Sequence, residues 1–370
     1  MSVEFTLQAI RATTEKYLKN YVDHTLRHRF LLSYLQKAGR IVTGESGTAL
    51  NWRIKVRRPQ VSTTSGRLTF SPADVYEPMT VGYAQMHSTN KLDRNTLLIN
   101  KGEEQIINLV DEMAKDCSAA IGDALCAGVY VDGSSDSNQL TGLQTFINPA
   151  VGADEDRVAV PASGSEYAGK SMVLGALGGR WSATRPAADR DTTLPATATD
   201  WPEGSGDPEY DYLAFKGFNY TGAWSTGTNN WTVNCEKLLR RGQTAISALG
   251  GSGAAPAVHV LSRGMYNEFQ DSVQDRERLS LSDYAAKLGF PDTMQYSGVL
   301  LNWDYDCPAT TGYSLNPSEM ALRVVTDQLF YTDGPEWNLT EQAHLFMIGF
   351  MGNFTWSPKN IAVYGSYEAA

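Results

Sequence analysis

The residues whose types and spacing could do chemistry are few, and the sharpest group is "GSEYAGKS" at residues 164–171. It matches the phosphate-loop pattern G-x-x-x-x-G-K-[ST]. In that pattern backbone amides from Gly164 to Gly169 would cradle phosphates, Lys170 would reach the outer ones and Ser171 would ligate magnesium. Such a loop needs a buried parallel strand before it and a long helix after it. Here the strand would be only "RVAV", cut short by Pro161, and the following "MVLGALGG" is short and rich in glycine. A nucleotide-binding hydrolase built on Gly164–Ser171 is therefore kept as an alternative function and not as the main one.

Other candidates are weaker. His24 and His28 stand at i,i+4 in "DHTLRHRF", a chelating spacing, but no nearby Cys, His or carboxylate completes a metal site. Cys117, Cys126, Cys235 and Cys307 lack CxxC spacing and read as buried thiols of a reducing compartment. There is no HExxH and no GxSxG, and His87, His259 and His344 are scattered, His259 within "PAVHVLS" reading as a core histidine. Asp304 and Asp306 could mimic a carboxylate pair, although a turn before Pro308 explains them better. No catalytic residue, metal or cofactor is expected, so the chain does not read as an enzyme.

The net charge of −10 argues against a protein that grips nucleic acid through a basic face. The charge is uneven, however. Residues 1–60 hold 11 Lys/Arg against 4 Asp/Glu, a surplus of +7 on a body that carries −17. A basic arm on an acidic body can recruit other acidic surfaces, including copies of itself. No apolar run approaches the roughly 18 residues needed to cross a bilayer, and the N-terminal stretch has no signal-like apolar core. Neither secretion nor membrane insertion is expected.

The elements that would position these residues follow from periodicity. Residues 5–38 place apolar positions at helical spacing and end at Gly39. In "TALNWRIKVRRPQV" the period becomes two: Leu50, Trp52, Ile54 and Val56 share one face, while Asn51, Arg53, Lys55 and Arg57 share the other. Arg58 and Pro59 lead into a Ser/Thr/Gly tip containing Arg67, and a second extended run, "EPMTVGYAQMH", returns. Two extended arms and a polar tip make a hairpin, which by itself is barely stable and needs a partner for its apolar face.

The stretch 100–130 then predicts one long helix. Asn100 is a good N-cap, and Glu103 follows three residues on, as in a capping box. Ile106, Val110, Met113, Cys117, Ile121 and Ala124 form a stripe at spacings of three and four, and Ala120 belongs to a small-residue half that can accept close neighbours. Continuous from 101 to 127, the helix would span about 40 Å at ~1.5 Å per residue, the length of a domain. Residues 150–231 change character, being rich in Gly, Asp, Ala and Thr with Trp181, Trp201, Trp224 and Trp231, and read as a β-biased insertion or binding module. Helix, strand and helix follow in "NCEKLLRRGQTAISALGG", "PAVHVLS" and "RGMYNEFQDSVQDRERL". Strands are predicted at "GVLLNWDYD", "MALRVVT", "HLFMIGFMGNFTWS" and "NIAVYGSYEAA".

In this order, basic arm, Arg-rich hairpin, single long helix, turn-rich "LTGL" exit and closing strands, the chain resembles the tailed-bacteriophage major capsid proteins, whose fold is shared with herpesvirus shells. The resemblance implies an α+β phage major capsid fold: an N-arm at 1–44, an extended loop at 45–99 and a peripheral domain with its spine helix at 100–149. An axial domain follows at 232–335, and 336–370 return to the peripheral domain. The β-rich 150–231 module is the departure from that plan. It further implies a structural protein whose copies form pentamers and hexamers and then an icosahedral shell around phage DNA held without sequence specificity. Location in the virion after assembly in the host bacterial cytoplasm goes with it. Scaffolding, portal and decoration proteins are the other partners the resemblance brings, with no membrane. Trp52, Ile54 and Val56 would pack on an adjacent subunit, while Arg53, Arg57, Arg58 and Arg67 would pair with its acids. With only about 44 residues ahead of the hairpin, a separate scaffolding protein or none is expected, and a Lys91–Asn360 crosslink is not.

Overall fold

The computed structural model describes residues 30–55, 76–95, 103–134, 136, 138–147, 149–150, 158–161, 166–171, 215–222, 227–250, 256–273 and 294–366. The elements begin with α1 (Phe30–Lys37), β1 (Ile41–Val42), β2 (Leu50–Lys55), β3 (Tyr76–Val81), β4 (Ala84–Asp93) and α2 (Glu103–Gly128). They continue with β5 (Pro149–Ala150), β6 (Val158–Pro161), β7 (Glu166–Tyr167), β8 (Lys170–Ser171), β9 (Lys216–Asn219), α3 (Trp231–Gly250), β10 (Val258–Leu261) and α4 (Arg263–Val273). Seven strands close the order: β11 (Met294–Tyr296), β12 (Val299–Trp303), β13 (Gly312–Leu315), β14 (Ala321–Val324), β15 (Tyr331–Asn338), β16 (Ala343–Thr355) and β17 (Ile361–Gly365). They fall into two compact units, each built from three separated segments.

The first unit takes residues up to Thr48, Gly82–Gly142 and Ala321–Thr355. Its centre is β16, which pairs antiparallel with β4 from Ala343↔Asp93 to Gly352↔Ala84 and, along its other side, with β15 and β14. The pattern along "AHLFMIGFM" alternates as a half-buried strand should: His344, Phe346, Ile348 and Phe350 are buried, while Leu345, Met347 and Met351 are partly exposed. The helix α2 packs on β4 and β16. It presents Ala114, Cys117, Ser118, Ile121 and Leu125 as its buried stripe, at helical spacings of three and four. Its end is packed closely: a Cβ on Gly128 would stand 2.4 Å from Leu140 Cδ1, so the exit segment folds back directly over this glycine. The basic arm enters this unit as a parallel edge strand, Ile41↔Leu322, and Glu45 is clamped by Arg323 Nη1.

Asn353 ties its strand to both ends of the 82–142 segment. Its Nδ2 donates to Gly82 O (2.8 Å) and Thr141 Oγ1 (3.0 Å), and its Oδ1 accepts from Thr141 N (2.8 Å). A buried amide that uses both ends fixes a geometry that apolar packing alone would leave loose.

The second unit takes Ala49–Val81, Leu143–Met320 and the residues from Trp356 on. An eight-stranded sheet runs in the order β11-β12-β10-β13-β17-β9-β6-β5. Strands β10 and β12 are parallel, with α4 in the connection between them, and β17 and β9 are parallel too. Runs such as "VHVL" and "IAVYG" are buried at every position, which is how strands covered on both faces read. The core joins Trp231, Leu238, Leu239 and Ile246 of α3 to Met265, Tyr266 and Phe269 of α4, over Leu261, Leu301 and Tyr364 of the sheet. Helix α3 can lie this close because position 242 is glycine; a Cβ there would meet Tyr364 Oη at 1.9 Å.

Several boundaries differ from those expected. The extended loop was expected to run to residue 99, but its second strand stops at Val81, and β4 belongs to the other sheet. The stretch 150–231 is not separate at its ends, since β6 and β9 pair into the large sheet. The return at 336–370 begins earlier, at Ala321, and stops at Thr355, because β17 pairs between β13 and β9 in the large sheet. Pairing decides all three, and hydropathy along one strand does not report its partner. The expected arm before residue 30, the hairpin tip, Asn100 and all of 172–214 lie outside the described residues.

Gly242→Ala is expected to lower stability by about 1–3 kcal/mol, because the added methyl overlaps the Tyr364 hydroxyl and α3 must lift from the sheet. A urea-unfolding midpoint equal to that of the unaltered protein would show that the helix accommodates the methyl.

Candidate assembly surfaces

The phosphate-loop reading fails on geometry. Glu166–Tyr167 and Lys170–Ser171 are two short antiparallel strands, joined by a two-residue turn in which Ala168 and Gly169 have φ of 52° and 75°. Lys170 and Ser171 therefore run back along Glu166 and Tyr167, where a phosphate loop would open a helix whose amides face the ligand. The alternation E-Y then K-S around a two-residue turn was the signal for a hairpin, weak because Ala-Gly is a poorer turn pair than Asn-Gly.

Tyr167 is instead a core residue. It is 2% exposed, its ring centroid lies 5.2 Å from that of Phe146 and 6.3 Å from that of Trp52, and its hydroxyl accepts from Trp356 N at 2.6 Å. Nothing in the local sequence marked it. Around it the β2–β3 ribbon pairs from Leu50↔Val81 to Lys55↔Tyr76. Leu50, Ile54, Met79 and Val81 are buried within the chain, Trp52 is half-buried, and Arg53 is exposed. The expectation that Ile54 waits for an adjacent subunit is thus corrected: its own chain covers it. Val56, Arg57, Arg58 and Arg67 lie outside the described residues.

On α2, Ile106 and Val110 fall in the N-terminal half, Met113 is half-buried, and Cys117 and Ile121 are buried as the spacing predicts. Ala120 and Ala124 are exposed, contrary to the expectation that they are packed inside the subunit. The buried stripe runs through 114, 118, 121 and 125, and the small residues at 120 and 124 sit on the face turned from it. With Asp116 and Asp123 also exposed, that face is a shallow strip of alanine edged by acids.

A second surface lies on the first unit's sheet. An open groove of about 850 Å³ is lined by Lys91, Asp333, Glu336, Trp337, Glu341 and Met347, among others. Lys91 Nζ stands 3.9 Å from both Asp93 and Glu341, and all three side chains are about half exposed, so these pairs contribute little to stability. Leu339, which also lines it, is 81% exposed. Among the described residues no group of three His, Cys, Asp or Glu could hold a metal ion, and no helix is long and apolar enough to cross a membrane.

One arrangement looks catalytic and is not. His259 Nδ1 lies 2.5 Å from Ser314 Oγ, and His259 Nε2 lies 2.9 Å from Gln243 Nε2. Ser314 Oγ lies 2.7 Å from Tyr364 Oη. With the Gln243 amide donating to Nε2, the ring proton sits on Nδ1 and is given to Ser314, the reverse of what activates a serine. His259 and Ser314 are both fully buried, so no substrate reaches them. The chain of four is a polar pin between α3, β10, β13 and β17. The core-histidine expectation holds, and its partners were invisible because Ser314 lies 55 residues away. Asp304 likewise is a turn residue: its carbonyl accepts from Cys307 N at 3.3 Å and its Oδ1 from Asp306 N at 3.4 Å. Trp231 is a core residue too, with Nε1 donating to Met265 O at 2.8 Å. Trp181, Trp201, Trp224, His24 and His28 lie outside the described residues. All four cysteines are buried and free, and burial raises the thiol pKa values of Cys235 and Cys307.

Burial pulls the His259 pKa down to about 3, against about 6.5 when unfolded. Its neutral ring stabilises the fold above the unfolded value, and that contribution is lost as pH falls from about 6.5 toward 3, at up to about 1.4 kcal/mol per pH unit. Denaturant titrations should therefore show a shallower acid loss for His259→Gln than for the unaltered protein. Equal slopes between about pH 6 and 4 would assign the loss elsewhere.

Comparison with known proteins bears on the fold. No protein-family model and no curated protein matches the sequence. Among solved structures, the capsid asymmetric unit of cyanophage A-1(L) matches at a TM-score of 0.59 with 16% identity, over 92% of this chain and 93% of that one. The capsid of a native GTA particle matches at a TM-score of 0.50 with 10% identity, over 91% and 90% of the two chains. With its long helix on one sheet, its eight-stranded second sheet and its two-stranded ribbon, the chain has the α+β fold of phage capsid proteins.

Proposed function

We propose that this chain is a major capsid protein, a structural subunit that self-assembles into pentamers and hexamers and then into a closed icosahedral shell around phage DNA. The observation that carries the reading is the end-to-end match to a cyanophage capsid chain, over nine-tenths of both. A match of that extent leaves little of the chain for a different task. The surfaces agree with it physically. A basic arm and an Arg-bearing ribbon belong to a chain of net charge −10, so each copy offers what another copy's acids can pair with. Surface pairs are individually weak, and the strength of a shell comes from area and repetition.

In this reading Trp52, Arg53, Val56, Arg57, Arg58 and Arg67 face an adjacent subunit, with the arginines on its acids. The exposed strip of Ala120 and Ala124 on α2 is a second contact, narrow enough for a neighbouring chain to approach closely. An acidic shell also holds double-stranded DNA loosely and without sequence preference. Scaffolding, portal and decoration proteins are the further partners, assembly takes place in the bacterial cytoplasm, and the product is the virion.

Negative-stain electron microscopy of the full chain, with and without a candidate scaffolding protein and across several salt concentrations, is expected to show rings or shells. Monodisperse monomers under all conditions would overturn the reading. Ala120→Leu and Ala124→Leu separate subunit from shell: both side chains are exposed in the chain, so each should change subunit stability by no more than about 0.5 kcal/mol while blocking shell formation. Normal shells from both variants would remove this face from the contact.

A further inference from the structure

The β2–β3 ribbon is a two-stranded sheet, and such a ribbon is at best marginally stable alone. Yet Leu50, Ile54, Met79 and Val81 at its root are 3%, 4%, 0% and 7% exposed. Part of the cover is a six-residue hairpin far away in sequence. The Trp52 ring meets Tyr167 with centroids 6.3 Å apart, and Thr80 N donates to Ala168 O at 3.3 Å. On its other sides Tyr167 meets Phe146, beside the turn Leu143–Thr145, and its hydroxyl takes the amide proton of Trp356 at 2.6 Å. Ala168 occupies the left-handed region at φ 52°, which costs a residue with a Cβ about 1 kcal/mol, and its carbonyl is the one that Thr80 reaches.

We infer that the hairpin Glu166–Ser171 is a latch that fixes the direction of the β2–β3 ribbon in the free subunit, with Tyr167 as its positioning residue. The ribbon root is then ordered before any second copy arrives, so association does not bear the entropy of ordering it. The inference rests on the shell reading only for what the ribbon goes on to contact; the latch itself is a property of the single chain. Its chemistry is specific. The aromatic ring sets the position of Trp52, the backbone of the turn sets that of Thr80, and the hydroxyl anchors both to the segment that leads into β17.

The test is amide hydrogen exchange on the unassembled full-length chain. In Tyr167→Ala, amides of 50–55 and 76–81 should exchange at least about tenfold faster, while those of 258–261 and 361–365 in the large sheet keep their protection. Should that variant fail to fold, Gly169→Val strains only the turn, since position 169 has φ 75° and open space around it, and the same amides should loosen. In Tyr167→Phe the ring contacts remain, so the ribbon should stay protected while the Trp356 amide alone exchanges faster. Unchanged ribbon exchange in both the alanine and the valine variants overturns the latch, as does an equal loss across the whole large sheet. Electron microscopy of the same variants should give particles of broadened diameter. Uniform, normal particles from a loosened ribbon would overturn its role in assembly. Absence of particles from the unaltered chain would overturn the shell reading and leave the exchange result standing.

Discussion

The long antiparallel pairing of β4 with β16 is the interaction on which the first unit depends. It joins residues 84–93 to 343–352, and everything else in that unit is hung from it. The spine helix needs the two strands side by side to bury Cys117, Ile121 and Leu125, and Asn353 can reach Gly82 and Thr141 only once the register is set. The register itself is held because a slip by one residue would turn Phe346, Ile348 and Phe350 toward solvent. The basic arm profits last: β1 has an edge to pair with only after β14 has joined β16.

The second unit solves the opposite problem. Strands such as β10 and β17 are short and buried at every position, so nothing in their own pattern fixes where they go. Specificity comes from a few polar groups and close approaches placed within the core. The line from Gln243 through His259 and Ser314 to Tyr364 must be made complete, since an unpaired member at full burial would cost more than an apolar replacement. Gly242 makes room for the same tyrosine hydroxyl from the helix side, so one side chain sets both the spacing of α3 above the sheet and the alignment of three strands below it.

Much of this was legible in the sequence, and the boundary of what was legible has a physical cause. Periodicity located α2 to within a few residues and found the strands at Val258–Leu261, Ala343–Thr355 and Ile361–Gly365, because local burial leaves a local signature. It also found Cys117 and Ile121 on the buried face, but set Ala120 and Ala124 beside them, where alanine's indifference to burial leaves no mark. Partnership was not legible. Which sheet β4, β6, β9 or β17 joins depends on edges far away in sequence, so the unit boundaries shifted although the elements did not. The cover of the β2–β3 ribbon was the least legible. A hairpin with an apolar face looks unpartnered from its own residues, and its cover, Tyr167, stood inside a motif that suggested phosphate binding.

The place of β17 in the large sheet has a consequence for the order of events in the cell. It is the last strand among the described residues, yet it lies between β13 and β9, so a nascent chain that has not yet emitted residues 361–365 has a sheet in two pieces. The other unit is no further on, since β4 waits for β16 across some 250 residues of synthesis. A ribosome-bound fragment that stops before residue 343 therefore holds neither finished unit, and both units wait for these two strands. Fragments that stop short of these strands leave open the edges that β16 and β17 pair with in the finished sheets.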